Sequence, residues 1–224
     1  MIDRAETEQD VTFDGATGPL HGRLCPPTGT GWGTLVLCHG RHETMEGPMV
    51  ATLSRRAADL GLWTLRFNFA FIDAGSDPSP DHEDEIADLR EACAFAAAKS
   101  GFGAAFIAGR GLGAWACVGA ATGELAAGAI LLGLAYTGQP DRRRALERLE
   151  EFEIPTIVVV GFESDRVDLP RLRDLISRMT SVNLEIVARA DHRLQDTAGR
   201  PMTEAALMPI EAWLRLRRKE RESR

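Results

Sequence analysis

The chain has 224 residues, 44% of them hydrophobic, with 26 basic against 33 acidic side chains and a net charge of −7. That length suits one α/β domain, here residues 1–224, with a substantial core. The acidic balance argues against nucleic-acid binding, since such domains are commonly basic. No run of about 18 apolar residues suggests a membrane span, and the start MIDRAETEQDVTF lacks an apolar stretch of signal-peptide length. The four cysteines, Cys25, Cys38, Cys93 and Cys117, form no CxxC pair and read as free buried thiols of a reducing compartment. The expectation is a cytoplasmic protein with neither a nucleic-acid nor a membrane partner. Its oligomeric state is not legible.

In chain order, VTFDG (11–15) and LHGRLCP (20–26) read as an antiparallel hairpin at a sheet edge, and PPTGTGWG (26–33) as a loop. Apolar runs follow at 34–40, 62–69, 104–109, 127–135 and 156–161, with a more alternating one at 183–190. Continuous apolar runs of this length fit strands buried on both faces, as in a parallel sheet. Helical patterns fill the gaps at 46–60, 82–99, 112–122, 141–151, 168–180 and 203–219. The helix over 82–99 starts acidic, which suits its dipole, and Gly101 follows its end. The acids Asp81, Glu83, Asp84 and Glu85 read as a solvated helix start rather than a cation site. The tail RLRRKERESR reads as a solvated, fraying helix end. Strand and helix alternate to the C-terminus, which gives a doubly wound, mostly parallel α/β sheet with helices on both faces.

The stretch IAGRGLGA, at 107–114, joins the middle strand to its helix and carries Gly109, Gly111 and Gly113. It satisfies G-x-G-x-x-A, a turn that can bring backbone amides to a pyrophosphate, which leaves a dinucleotide-binding protein as one alternative. Against it, the turn does not follow the first strand, and the next strand ends without an acid to hold a ribose. The same residues fit G-x-S-x-G with glycine at the centre, where the serine of that motif sits on a sharp strand-to-helix turn. His39-Gly40 ends the first central strand, Asp165 follows the run 156–161, and His192 follows the last strand. The order is nucleophile position, acid, histidine.

On LCHGRHETMEGPMV, RFNF at 66–69, AGRGLGA, ESDRV and ADHRL, nearly the whole chain resembles the α/β-hydrolases, in their small, lidless, dienelactone-hydrolase-like branch. The resemblance implies an α/β-hydrolase fold with His192 as general base and Asp165 orienting it. The N–H groups of Arg41 and Leu112 would form an oxyanion hole. Gly111 departs from the pattern, because it offers no nucleophile. Residues expected to border the pocket are His39, Gly40, His42, Phe69, Phe71 and Tyr136, with Ile72 beside them, and Arg41, Arg110 and Arg142 are candidates to attract an acidic ligand. Competing readings are Asp165 as a helix cap, Glu163 as the acid, and Cys38 or Cys117 as a substitute nucleophile.

The functional expectation is a ligand-binding or regulatory pseudo-hydrolase for a small molecule. The alternatives are a weak hydrolase of small esters, lactones or thioesters using water activated by His192, and a serine hydrolase inactivated by substitution at 111. No cofactor is implied, and no metal-ligand cluster has suitable spacing.

Overall fold

The computed structural model describes residues 8–121, 124–138 and 146–223. β1 (Gln9–Asp14) and β2 (Pro19–Cys25) form the expected hairpin, closed by a bond from the Gly15 N–H to the Gly18 carbonyl at 2.8 Å. β2 then pairs antiparallel with β4 (Leu62–Phe67). From there the sheet is parallel through β3 (Gly33–Cys38), β5 (Ala105–Arg110), β6 (Ala126–Leu132), β7 (Thr156–Gly161) and β8 (Val182–Val187). The eight-stranded order is β1-β2-β4-β3-β5-β6-β7-β8.

The unbroken apolar runs follow from burial on both faces. In β3, Leu35 and Leu37 face one core and Val36 and Cys38 the other. The first core is covered by α1 (Pro48–Asp59), through Val50 and Leu53, and by α6 (Thr203–Glu222), through Leu207, Ile210 and Leu214. The second is covered by α3 (Glu83–Ser100), α4 (Leu112–Ala120) and α5 (Leu169–Ser177), with Leu89, Ala116 and Leu172 fully buried. A short helix, α2 (Ala70–Ala74), falls where the sequence showed no helical pattern. Of the helix expected over 141–151, residues 141–145 lie outside the described residues, and the end is a 3₁₀ turn, Arg148–Glu151.

Four strands stop short of their apolar runs, β3 ending at Cys38 before His39 and Gly40. β4 ends at Phe67, so Asn68 and Phe69 are free to bond across to the neighbouring loop. β6 ends at Leu132, because Gly133 turns the chain with φ 61°. β8 ends at Val187, two residues before Arg189 at φ 59°.

The start of α3 differs from a fully solvated one. Glu83 and Asp84 are exposed, but Glu85 and Asp88 are buried. Glu85 accepts from the N–H and hydroxyl of Ser79, and Asp88 accepts from the N–H groups of Ala16 and Ala70. These carboxylates tie three loops to one helix, as buried charges must be hydrogen-bonded. The C-terminal helix also does more than fray. It runs to Glu222, with Arg218 reaching the Leu60 carbonyl and Arg221 over the Phe102 ring.

Candidate active site

Five loops at the C-terminal edge of the sheet border the site, where ligands of open α/β sheets bind, and three of them fix its central residues. The first is the β5–α4 joint. Gly111 stands between strand and helix at φ 54°, ψ −110°, and its N–H is tied to the Leu132 carbonyl of β6 at 2.9 Å. A side chain at 111 would have room, since the nearest atom to an added Cβ is the Gly40 Cα at 3.9 Å. Gly113 has none. Its Cβ would lie 2.6 Å from the Cys38 Cβ and 2.7 Å from the His39 carbonyl oxygen. The first turn of α4 is thereby pressed onto the end of β3, and Leu112 presents one of the amides that a helix start leaves unpaired.

The second loop, 39–47, is held by the RFNF segment. Asn68 Oδ1 accepts from the Met45 N–H at 2.8 Å, and Arg66 Nε donates to the Met45 carbonyl at 3.1 Å. Arg66 is 1% exposed and makes a bidentate pair with Glu8, a geometry that fixes direction as well as charge. This coupling explains why the two sequence segments matter together.

His39 is part of the same clamp rather than of the pocket wall. It is fully buried, its Nε2 accepts from the Phe69 N–H at 3.1 Å, and its Nδ1 lies 2.7 Å from the Gly40 carbonyl. Because Nε2 accepts, Nδ1 must carry the proton and donate, and the ring is neutral. Burial lowers its pKa below the ordinary histidine value, against the opposing pull of the Gly40 bond and Glu43. The unfolded chain therefore takes up a proton, near the usual value of about 6.5, that the folded ring resists. This contribution to stability is complete above that pH and is lost as the pH falls through the lowered folded value. Between about pH 7.5 and about pH 5.5, wild type is expected to lose more of its urea midpoint than His39→Gln does. Equal losses would remove His39 as the source.

The third loop carries His192. Two glycines let it sit close. The Ala190 and Asp191 carbonyl oxygens crowd against Gly161 so tightly that no Cβ fits there, and the His192 carbonyl lies 2.7 Å from where a Gly133 Cβ would be. Asp191 Oδ1 accepts from the N–H groups of Arg193 and Gln195, at 2.8 and 2.9 Å, so the chain folds around His192 as a tight turn. His192 Nδ1 then lies 3.4 Å from Asp165 Oδ1. That exceeds a normal hydrogen bond, and the Asp165 side chain is 78% exposed, so the contact is a solvent-exposed approach of carboxylate to imidazole. Glu163 lies elsewhere, bordering a separate hollow with Arg189 and Arg200.

The loops surround a cleft of about 510 Å³, bordered by Gly40, Arg41, His42, Arg110, Gly111, Leu112 and His192 among the residues singled out from the sequence. His39, Phe69, Phe71 and Tyr136 do not border it. Phe69 and Phe71 pack edge-on against the His39 ring inside the core. Tyr136 is 2% exposed and donates its hydroxyl to the Asp168 carbonyl at 2.6 Å. Sequence position put these rings at strand ends, but their apolar faces found more burial beneath the loops than above them. Ile72 packs against the same core, and Arg142 lies outside the described residues.

An α/β hydrolase domain profile matches residues 32–212. The chain belongs to the α/β hydrolase family. Solved structures with the same fold include an α/β serine hydrolase homologue from Coxiella burnetii, at TM-score 0.71 and 19% identity, covering 92% of this chain and 95% of that one. A lidless α/β serine hydrolase from Xanthomonas campestris matches at TM-score 0.68 and 18% identity, covering 92% and 94%. Dienelactone hydrolase from Anabaena variabilis matches at TM-score 0.67 and 22% identity, covering 92% and 97%. No curated protein matches the sequence.

Within this α/β hydrolase the thiols have no place in the cleft. All four cysteines are buried, and none is in a disulfide. Burial pushes the Cys38 thiol well above its usual range, with Cys117 adding to the effect, and burial raises Cys93 likewise. A thiol held neutral is a poor nucleophile. Among the described residues no cluster of His, Cys, Asp and Glu is placed to hold a metal ion, and no helix is long and apolar enough to cross a membrane.

Sequence reasoning missed Glu43, Arg166 and Arg193, which also border the cleft. Arg110 and Glu43 form an ion pair there although 67 positions separate them in the chain. No local pattern announces such a pair. Gly161 was missed for a related reason, since its role is to admit a loop almost thirty residues away.

Proposed function

We propose that this α/β hydrolase binds a small molecule in the cleft without forming an acyl-enzyme, Gly111 standing where serine hydrolases of the fold carry their nucleophile. The observation that carries this reading is the bend at 111. It has the tight strand-to-helix form expected of a nucleophile turn, it shares a cleft with His192, and it offers only a hydrogen atom. His192 would be the base, Asp165 its partner, and the N–H groups of Arg41 and Leu112 the oxyanion donors. Covalent catalysis needs an oxygen or sulfur beside that base, and the thiols nearest in sequence are buried. The structural neighbours whose names include dienelactone hydrolase and lidless serine hydrolase support a small ester-like or lactone-like ligand.

The retained His192–Asp165 approach favours a second reading of the same site. In this reading a water would occupy the cleft beside Gly111, and His192 would draw a proton from it, a contribution typically of about 10²–10⁴-fold. The two readings share one expected result and differ in another. A fluorophosphonate probe is expected to leave the purified protein unlabelled, and labelling would sink both. Slow hydrolysis of a small p-nitrophenyl ester that disappears in His192→Ala selects the water mechanism. Hydrolysis at the buffer rate selects ligand binding alone.

A further inference from the structure

The cleft carries a charge opposite to that of the whole protein. Acidic residues outnumber basic ones 33 to 26, yet Arg41, Arg110, Arg166 and Arg193 border the cleft against one carboxylate, Glu43. Arg41 is partly neutralised by exposed Asp77 at 2.9 Å. Among the described residues neither the Arg166 nor the Arg193 guanidinium has a carboxylate partner. A concave wall of one sign focuses its field into the space it encloses.

Arg110 is the fixed member of the set. It immediately precedes Gly111 and is 9% exposed. Its Nη1 pairs with Glu43 and its Nη2 donates to the Arg193 carbonyl at 2.6 Å. Nη1 also lies 3.6 Å from the position of an added Gly40 Cβ, so the guanidinium lies against the loop that carries the Arg41 amide. Its Nε is buried with no partner among the described residues. A guanidinium nine-tenths removed from water, held by two partners and still with a free donor, costs desolvation that a surface arginine avoids. Glu43 shows what the group prefers, since the fold sets a carboxylate against it.

We propose that the cleft receives the anionic head of a carboxylate- or phosphate-bearing small molecule, with Arg110 as its anchor and Arg166 and Arg193 on the open side. Glu43 competes for the same guanidinium, so ligand binding displaces or loosens that pair. This rests on the reading of the cleft as a ligand site, and it names the chemistry of the ligand.

The test is isothermal titration of the full chain with inorganic phosphate, with butyrate and with neutral butyramide at constant ionic strength. Phosphate or butyrate is expected to bind and butyramide not to, and whichever anion binds identifies the head group. Arg110→Gln is expected to weaken binding at least about tenfold, and Glu43→Gln to tighten it about threefold or more, because a charged hydrogen bond is lost in one and a rival removed in the other. Arg166→Gln sits on the exposed rim, where the fold tolerates change, and is expected to weaken binding about threefold. Should Arg110→Gln fail to fold, the opposite signs of the Glu43 and Arg166 variants carry the same decision. Butyramide binding as tightly as butyrate, or anion affinities unmoved by these variants, would overturn the proposal. Fluorophosphonate labelling of the same preparation keeps the two readings apart. Labelled protein that still binds the anion through Arg110 defeats only the noncovalent reading, and unlabelled protein indifferent to anions defeats only this one.

Discussion

Gly109→Ala is expected to destabilise the protein by about 3 kcal/mol or more, at the upper end of what added core methyls cost. The new Cβ would fall within the van der Waals radius of the Gly113 carbonyl and 2.5 Å from the Ala114 nitrogen. Both are backbone atoms of the first turn of α4, and a backbone cannot rotate aside as a flexible side chain does. Relief requires α4 to lift from β5, which would also strip the Gly113 N–H from the His39 carbonyl, at 3.1 Å. Since a domain is stable by only about 5–15 kcal/mol, that is a large share. Gly103→Ala is the control, because nothing lies within 4 Å of its added Cβ, and a surface change of that kind usually stays within about 0.5 kcal/mol. Urea midpoints of the two variants against wild type decide the matter. A Gly109→Ala midpoint level with the control would mean that the joint is looser than its geometry.

That close packing also shows where sequence reading succeeds. The central strands were legible because burial on both faces leaves unbroken apolar runs, as in TIVVVG, now β7. The edge hairpin was legible because its turn glycines separate two short strands. The order of Gly111, Asp165 and His192 along the chain located three loops that the sheet topology brings to one edge. What failed was the direction of side chains. His39 and Gly40 are neighbours, yet one is sealed in the core and the other borders the cleft. Phe69 and Phe71 went inward for the same reason, each packing on the His39 ring. No local periodicity records which way a strand-end residue turns, because the partners that decide it lie on other elements. The Arg110–Glu43 pair is of this kind. Glu43 alone reads as an ordinary solvated charge, and only the fold sets it against Arg110 at the border of one cleft.

Gly111→Ser is expected to exchange stability for chemistry. At φ 54°, ψ −110° the residue occupies backbone space that L side chains rarely adopt, and a strained position of this type costs about 1–3 kcal/mol. Steric overlap adds little, as among the described residues beyond its chain neighbours the nearest atom, the Gly40 Cα, is 3.9 Å from the new Cβ. Gly111→Ala should therefore lower the urea midpoint by a similar amount, which separates strain from the hydroxyl. Only the serine should then become labelled by a fluorophosphonate. With His192 bordering the same cleft and the helix-start amide of Leu112 beside it, ester hydrolysis is expected to rise by about 10³-fold or more over wild type, since most of a triad's benefit appears only when its members are complete. Adding His192→Ala to the serine variant should return both readings to the wild-type level. A folded serine variant that stays unlabelled would mean that the imidazole does not reach the bend, and the role proposed for His192 as base would fail with it.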